Sequence, residues 1–324
     1  MNHPLRDWLE YAGLSAAAWL VRQFDFPTLR HLANFIGSLV YFLDPRGRRT
    51  ALQNLESAFP KKFTPAEKRR IARGSYCSFA RTMLELFWAP NMSEHFVRDH
   101  IVFEGWERDT CRDNPKKSAI YCCLHFSNFE WLSLVGAYSI TRSPLTRSPV
   151  IAQNFRNKFL GPIFNDLRAS SGNTVIPQER AMIKMLKHLK SGGKFGMLID
   201  LNLDPSQGAV PITTFGGLLA SVTPAHVALA QRTGAAIVPV ECRPLPDGRY
   251  RVILHPPIEC PPEADPAPLV QQCWNALEPG IHAHPECWLW PYKHWRYKPR
   301  EDNARYPAYA NFATRFDNLI AQIP

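Results

Sequence analysis

The sequence predicts an α/β protein: a mostly parallel central sheet flanked by helices, preceded by a helical amino-terminal segment. Three observations predict it. From residue 118 onward, short apolar runs of strand length alternate with helical patterns, as parallel strands joined by crossover helices require. Residues 1–90 carry apolar side chains at helical intervals and no strand pattern. The chain is also long enough, at 324 residues and 36.9 kDa, to bury a large core in one domain with a helical addition.

The elements follow in order. Two apolar runs, 8–21 and 31–43, open the chain. Neither reaches the roughly 20 uninterrupted apolar residues of a spanning helix. No small-residue cleavage site follows a basic start. Two readings fit: short helices lying in a membrane interface, or two core helices. Trp8, Trp19 and the basic cluster Arg46, Arg48 and Arg49 favour the interface. Residues 1–45 are therefore expected to be a membrane-associating helical segment, and 46–324 a single α/β domain. Leu52, Leu55 and Phe59, then Ile71, Tyr76, Phe79, Met83 and Phe87, continue the helical spacing. Thr64-Pro65-Ala66-Glu67 is a helix start, with a capping hydroxyl, Pro in the first turn and Glu at the third helical position. Strands are expected at 119–124, 149–153, 174–176, 195–200, 236–241 and 249–255. Helices are expected at 130–138, 157–170, 180–190, 224–232 and 268–282. Residues 285–324, rich in Trp, Tyr, Pro and Arg, should wrap over this core.

Composition narrows the partners. A net charge of +10 and a pI near 9.3 suit an anionic partner: a membrane surface, an acidic carrier protein or nucleic acid. The basic residues are dispersed, and no zinc-finger spacing or RNA-binding signature accompanies them, which argues against nucleic acid. The eight cysteines include no C-x-x-C pair, so spacing supports neither zinc nor dithiol chemistry. Buried free thiols in a reduced compartment are the expectation.

The densest chemistry lies at 119–132. An apolar strand pattern ends in His125, Glu130 follows five residues on, and a helical pattern begins. An imidazole can take a proton from a hydroxyl near neutral pH, and a carboxylate can fix its tautomer. Five helical residues turn through roughly 500°, off a common face. The pair can converge only if His125 sits in the loop and Glu130 in the first turn of the helix. Strand ends opening into helices are also where open α/β sheets place their sites. Farther on, Arg156 and Arg168 together offer bidentate grips for phosphate, although either alone reads more readily as a solvated charge. Asp200 ends an apolar strand pattern, where it would orient an arginine or a polar loop, or equally cap the next turn. Phe215-Gly216-Gly217 would let backbone N–H groups approach an oxyanion, and by itself it is a weak signal. Thr223 precedes the helix 224–232.

Taken in order, these residues resemble the late acyltransferases of bacterial lipid A biosynthesis, within the lysophospholipid acyltransferase superfamily. His125, Asn128 and Glu130 match a His-x4-Asp/Glu motif. Arg156 matches an Arg ahead of the next helix, and Arg168 with Gly172 an Arg-x3-Gly motif. Asp200, Phe215-Gly216, Thr223, Leu229-Ala230 and Thr233-Gly234-Ala235 match later elements, and Pro285, Trp288 and Trp290 a terminal Pro-x-x-Trp-x-Trp signature. The chain departs from the pattern at Leu201 and Asn202, where the family usually has Gln, and at Thr214, where it has an aromatic residue. The resemblance implies a glycerol-3-phosphate acyltransferase-like fold at the cytoplasmic face of the bacterial inner membrane. It implies acyl transfer from an acyl carrier protein thioester, or acyl-CoA, to a lipid hydroxyl, with His125 and Glu130 catalytic and no metal or cofactor. It places Asn128, Arg156, Arg168, Asp200, Phe215, Gly216 and Thr223 in substrate binding. Two alternatives stay open: the same mechanism on a lysophospholipid, glycolipid or aminolipid, and a lipid-binding protein without turnover. No Gly-x-Ser-x-Gly elbow supports a serine hydrolase.

Overall fold

The computed structural model describes residues 4–108, 114, 117–139, 150–152, 156–177, 181–300 and 305–321, with backbone only at 4, 108, 137–139, 150–152 and 177. The expected strand ends at 149 and 153, the start of the helix at 180, and Cys111 lie outside the described residues.

The amino-terminal third is helical, as its periodicity predicts: α1 Pro4–Val21, α2 Phe26–Leu43, α3 Pro45–Ala58, α4 Pro65–Trp88 and α5 Glu94–His100. Thr64 and Glu67 form the expected reciprocal capping box at the start of α4. Helix α2 packs along α4 at van der Waals contact, because a Cβ on Gly37 would lie 2.5 Å from the Cys77 backbone. One face of α2, including Phe26, Leu29, Ala33 and Tyr41, is thereby buried. Phe35, Leu39, Phe42 and Leu43 stay exposed. Among the described residues no helix is long and apolar enough to cross a membrane.

Strands and helices then alternate: β1 Ile101–Glu104, β2 Ala119–Cys123, α6 Phe129–Ser139, β3 Val150–Ala152, α7 Leu160–Ala169, β4 Val175–Pro177, α8 Ala181–Lys190 and β5 Lys194–Leu198. The hairpin β6 Val210–Thr214 and β7 Leu218–Val222 precedes α9 Ala225–Thr233, β8 Ala236–Pro244, β9 Tyr250–Leu254 and α10 Pro266–Ala283. The short β10 Tyr297–Lys298, β11 Asn311–Phe312 and α11 Thr314–Ile320 close the chain. The central sheet has the order β1-β9-β8-β2-β5, and only the β8–β9 pairing is antiparallel. Strand β2 is buried on both faces. Ile120 and Cys122 join the core under α3, α8, α9 and α10, while Cys123 joins the core under α2, α5, α6 and α7.

Three expectations change in detail. The strands at 150–152 and 175–177 pair with each other in a small separate sheet rather than in the central one. The segment 201–214, where no strand or helix is expected, contains β6. Phe215-Gly216-Gly217 is the tip of the β6–β7 hairpin, in which Phe215 and both glycines adopt positive φ. The carboxy-terminal segment does wrap over the core. Trp288, Trp290 and Trp295 are fully buried, and the Asn54 amide donates to the carbonyls of Trp290 and Tyr292 at 2.8 and 2.7 Å.

Candidate active site

Sheet register builds the site. Parallel neighbours β2 and β5 pair Cys123 with Leu198. Two residues beyond each, His125 and Asp200 therefore emerge side by side at the carboxyl end of the sheet. Nδ1 of His125 donates to Oδ1 of Asp200 at 2.7 Å, and the backbone N–H of His125 donates to Oδ2 at 3.0 Å. Trp288 adds its indole N–H to Oδ2 at 2.9 Å. A carboxylate only accepts, so Nδ1 must carry the proton and Nε2 is left with a free lone pair. The imidazole remains 13% exposed, whereas the Asp200 side chain is sealed.

His125 sits in the loop and Glu130 in the first turn of α6, as the spacing predicts. The expected hydrogen bond between them is replaced. Glu130 instead receives a bidentate pair from Arg168, Nε to Oε2 at 3.0 Å and Nη2 to Oε1 at 2.6 Å. Arg168 is thus committed to Glu130 rather than presented as a free phosphate grip. Glu130 still acts on the histidine through charge. Burial opposes the imidazolium, but the charge and hydrogen bond of Asp200, and then the charge of Glu130, outweigh it and raise the His125 pKa above its ordinary value. Asp200 responds in the opposite direction. Burial works against its charge, yet His125, then His294 and Trp288, hold it down to about 2.

The loop between β2 and α6 is a tight reversal. Ser127 takes φ +50°, which costs a non-glycine residue about 1–3 kcal/mol. Two bonds hold it there: its N–H to the Cys287 carbonyl at 2.8 Å, and the Thr82 hydroxyl to its own carbonyl at 2.8 Å. Asn128 has a bond at each end of its amide within the protein. Its oxygen caps α6 at the N–H of Trp131, and its Nδ2 donates to Glu85 at 2.5 Å. Glu85 is fully buried on α4, and it also takes the Tyr250 hydroxyl at 2.9 Å and Arg30 at 3.2 Å. Sequence reasoning passed over this carboxylate; its signal was an acid inside the apolar run Met83–Trp88 of α4.

The remaining expected residues lie farther out. Phe215 is buried in an aromatic cluster, its ring 5.4 Å from that of Trp288. Its N–H donates to Glu278 at 3.0 Å, and Arg305 donates to the carbonyls of Phe215 and Gly216. Those backbone groups are therefore occupied and not turned towards a reacting oxyanion. Thr223 caps α9, accepting from Ala225 N–H at 3.2 Å. Arg156 is exposed in the turn before α7. His294 stacks on Trp288 at 3.8 Å, and burial pushes it down to about 4, so it stays neutral. A narrow apolar cavity of about 60 Å³ lies between α6 and the sheet, lined by Tyr121, Leu132, Gly136, Gly196 and Val240, and it reaches Cys123.

A histidine loop at the carboxyl end of a parallel sheet, with Nδ1 held by a buried carboxylate, is an arrangement suited to general-base chemistry. The chain belongs to the bacterial lipid A biosynthesis acyltransferase family, whose profile matches residues 2–297, and it is an acyltransferase. It is 26% identical over 309 residues to the lipid A biosynthesis lauroyltransferase of Escherichia coli K12, spanning 94% of this chain and 96% of that enzyme.

Proposed function

We propose that the protein is a membrane-associated O-acyltransferase that moves a fatty acyl chain from an acyl carrier protein thioester, or acyl-CoA, to a hydroxyl of a lipid A precursor. The observation that carries this reading is the His125–Asp200 pair, which leaves Nε2 as the base. Nε2 takes the proton of the acceptor hydroxyl while the oxygen attacks the thioester carbonyl. The tetrahedral intermediate collapses, the C–S bond breaks, and the departing thiolate takes the proton back from the imidazolium. Asp200 holds the tautomer, and Glu130, fixed by Arg168, adds negative charge that favours the imidazolium. General-base action of this kind contributes about 10²–10⁴-fold.

Arg156 is an exposed cation in the turn before α7, and we assign it to phosphate on the acceptor or on the donor's phosphopantetheine. The apolar side chains left open on α1 and α2, among them Leu5, Trp8, Trp19, Phe35 and Leu43, support seating on a membrane surface. The +10 net charge suits an anionic cytoplasmic leaflet and an acidic carrier. The name of the Escherichia coli relative makes lauroyl the first donor to try. The test incubates purified enzyme with carrier-protein and CoA thioesters of several lengths and with lipid A precursor, lysophospholipid, glycolipid and aminolipid acceptors. Mass spectrometry of the products should show an added acyl chain on the lipid A precursor. Acylation of another acceptor in its place rejects the assignment.

A further inference from the structure

We propose that Cys122, His226 and Cys273 form a structural zinc site buried behind the strand that carries the catalytic histidine. The three side chains come from β2, α9 and α10, and each is 0% exposed. Their ligand atoms all lie within 4.8 Å of one another. In a tetrahedral zinc site, bonds of about 2.3 Å to sulfur put two sulfurs about 3.8 Å apart, so closing on the ion needs movement of about 1 Å or less.

His226 supplies the independent sign. Both of its ring nitrogens are buried, and among the described residues neither makes a well-formed hydrogen bond, although the ring lies close enough to the Cys273 thiol to interact with it. A wholly buried, unpaired polar ring is costly, and native structures rarely keep one without a reason. A metal ion satisfies one nitrogen directly. The surroundings select the ion. Cys122 and Cys273 belong to an apolar core with Ile120, Phe195, Ile237 and Val270. A divalent zinc with two thiolates and a neutral imidazole is electrically neutral, as such a core demands, whereas a monovalent copper would leave a net charge there. Cys260 is a third thiol nearby, outside the group of three, its Sγ 3.9 Å from the carbonyl of Val227, the residue after His226. No ligand spacing in the sequence announces the site, because its members come from three distant segments. Bound zinc would tie β2, three residues before His125, to the two helices packed behind the sheet.

The intact protein is purified under reducing conditions without chelator, and its metal content is measured by mass spectrometry. The expected result is about one zinc per chain, and after cobalt substitution a thiolate-to-metal charge-transfer band. Cys273→Ser should lose both signals. Cys77→Ser, which alters a buried thiol on α4 outside the group, should keep both. If Cys273→Ser fails to fold, the wild-type metal content and cobalt spectrum decide alone. Wild-type protein that holds no zinc after growth in zinc-supplemented medium overturns the proposal. So does zinc retained by Cys273→Ser, or a protein mass two hydrogens short that reports a Cys122–Cys273 disulfide.

Discussion

At the scale of single residues, the chemistry rests on which carboxylate holds His125. Both candidates were visible in the sequence, and short-range spacing favoured the wrong one. Glu130 is five residues away along the chain, yet it faces Arg168; Asp200 is 75 residues away, yet it touches Nδ1. A subtler pattern pointed to the right answer. His125 and Asp200 each follow an apolar strand run, and in the parallel register they stand at the same height. Offsets from strand ends are legible in sequence, but which strands are neighbours is not. The sign of the pH dependence follows from this pairing. Asp200 raises the His125 pKa, so the neutral base disappears as pH falls through a value above the ordinary imidazole range. Asp200→Asn should lower the rate about 10²–10⁴-fold by freeing the tautomer. It should also move the acidic limb of kcat/KM to lower pH, because the charge of Glu130 is then left as the counterweight to burial. An acidic limb left in place would exclude Asp200 as the orienting group.

At the scale of elements, helices and buried strands were readable because their periodicity reports one buried face. The β6–β7 hairpin was not. Its strands carry Pro211, Thr213 and Thr214, and its three-residue tip needs positive φ at a phenylalanine, a conformation that Phe does not advertise. The four-residue edge strand β1 is too short to show alternation. The junction of α2, α4, β9 and the catalytic loop depends on Glu85, which takes bonds from Arg30, Tyr250 and Asn128. Burial raises the Glu85 pKa, and Arg30 with its hydrogen-bond donors opposes this rise. Glu85→Ala strands Arg30 and the Asn128 amide without their acceptor. It should cost about 3–5 kcal/mol in denaturant unfolding, as breaking a buried pair does. A loss below about 1 kcal/mol, the range of a surface pair, would mean that the junction holds without it.

At the scale of the molecule, one side of the amino-terminal helices is apolar and open, and the chain as a whole is basic. Trp19 and Phe42 are 65% and 62% exposed. Each large side chain moved from water into an apolar phase is worth roughly 1.5–3 kcal/mol. Trp19→Ser with Phe42→Ser should therefore weaken co-sedimentation with phosphatidylglycerol-containing vesicles by at least about 100-fold. Unchanged sedimentation would leave charge, and not this face, as the membrane contact. Sequence reasoning reached the class of fold, since it resides in local pattern and order. It did not reach the Asp200–Trp288 support or the Cys122–His226–Cys273 group, since both exist only once distant segments meet. The most direct measurement is the steady-state transfer of acyl groups from carrier-protein thioester to lipid A precursor by purified wild-type and His125→Ala protein. We expect wild-type turnover with an acylated precursor as product, and a loss of about 10²-fold or more in the variant, with its unfolding midpoint preserved. Near-normal turnover by His125→Ala would contradict the account.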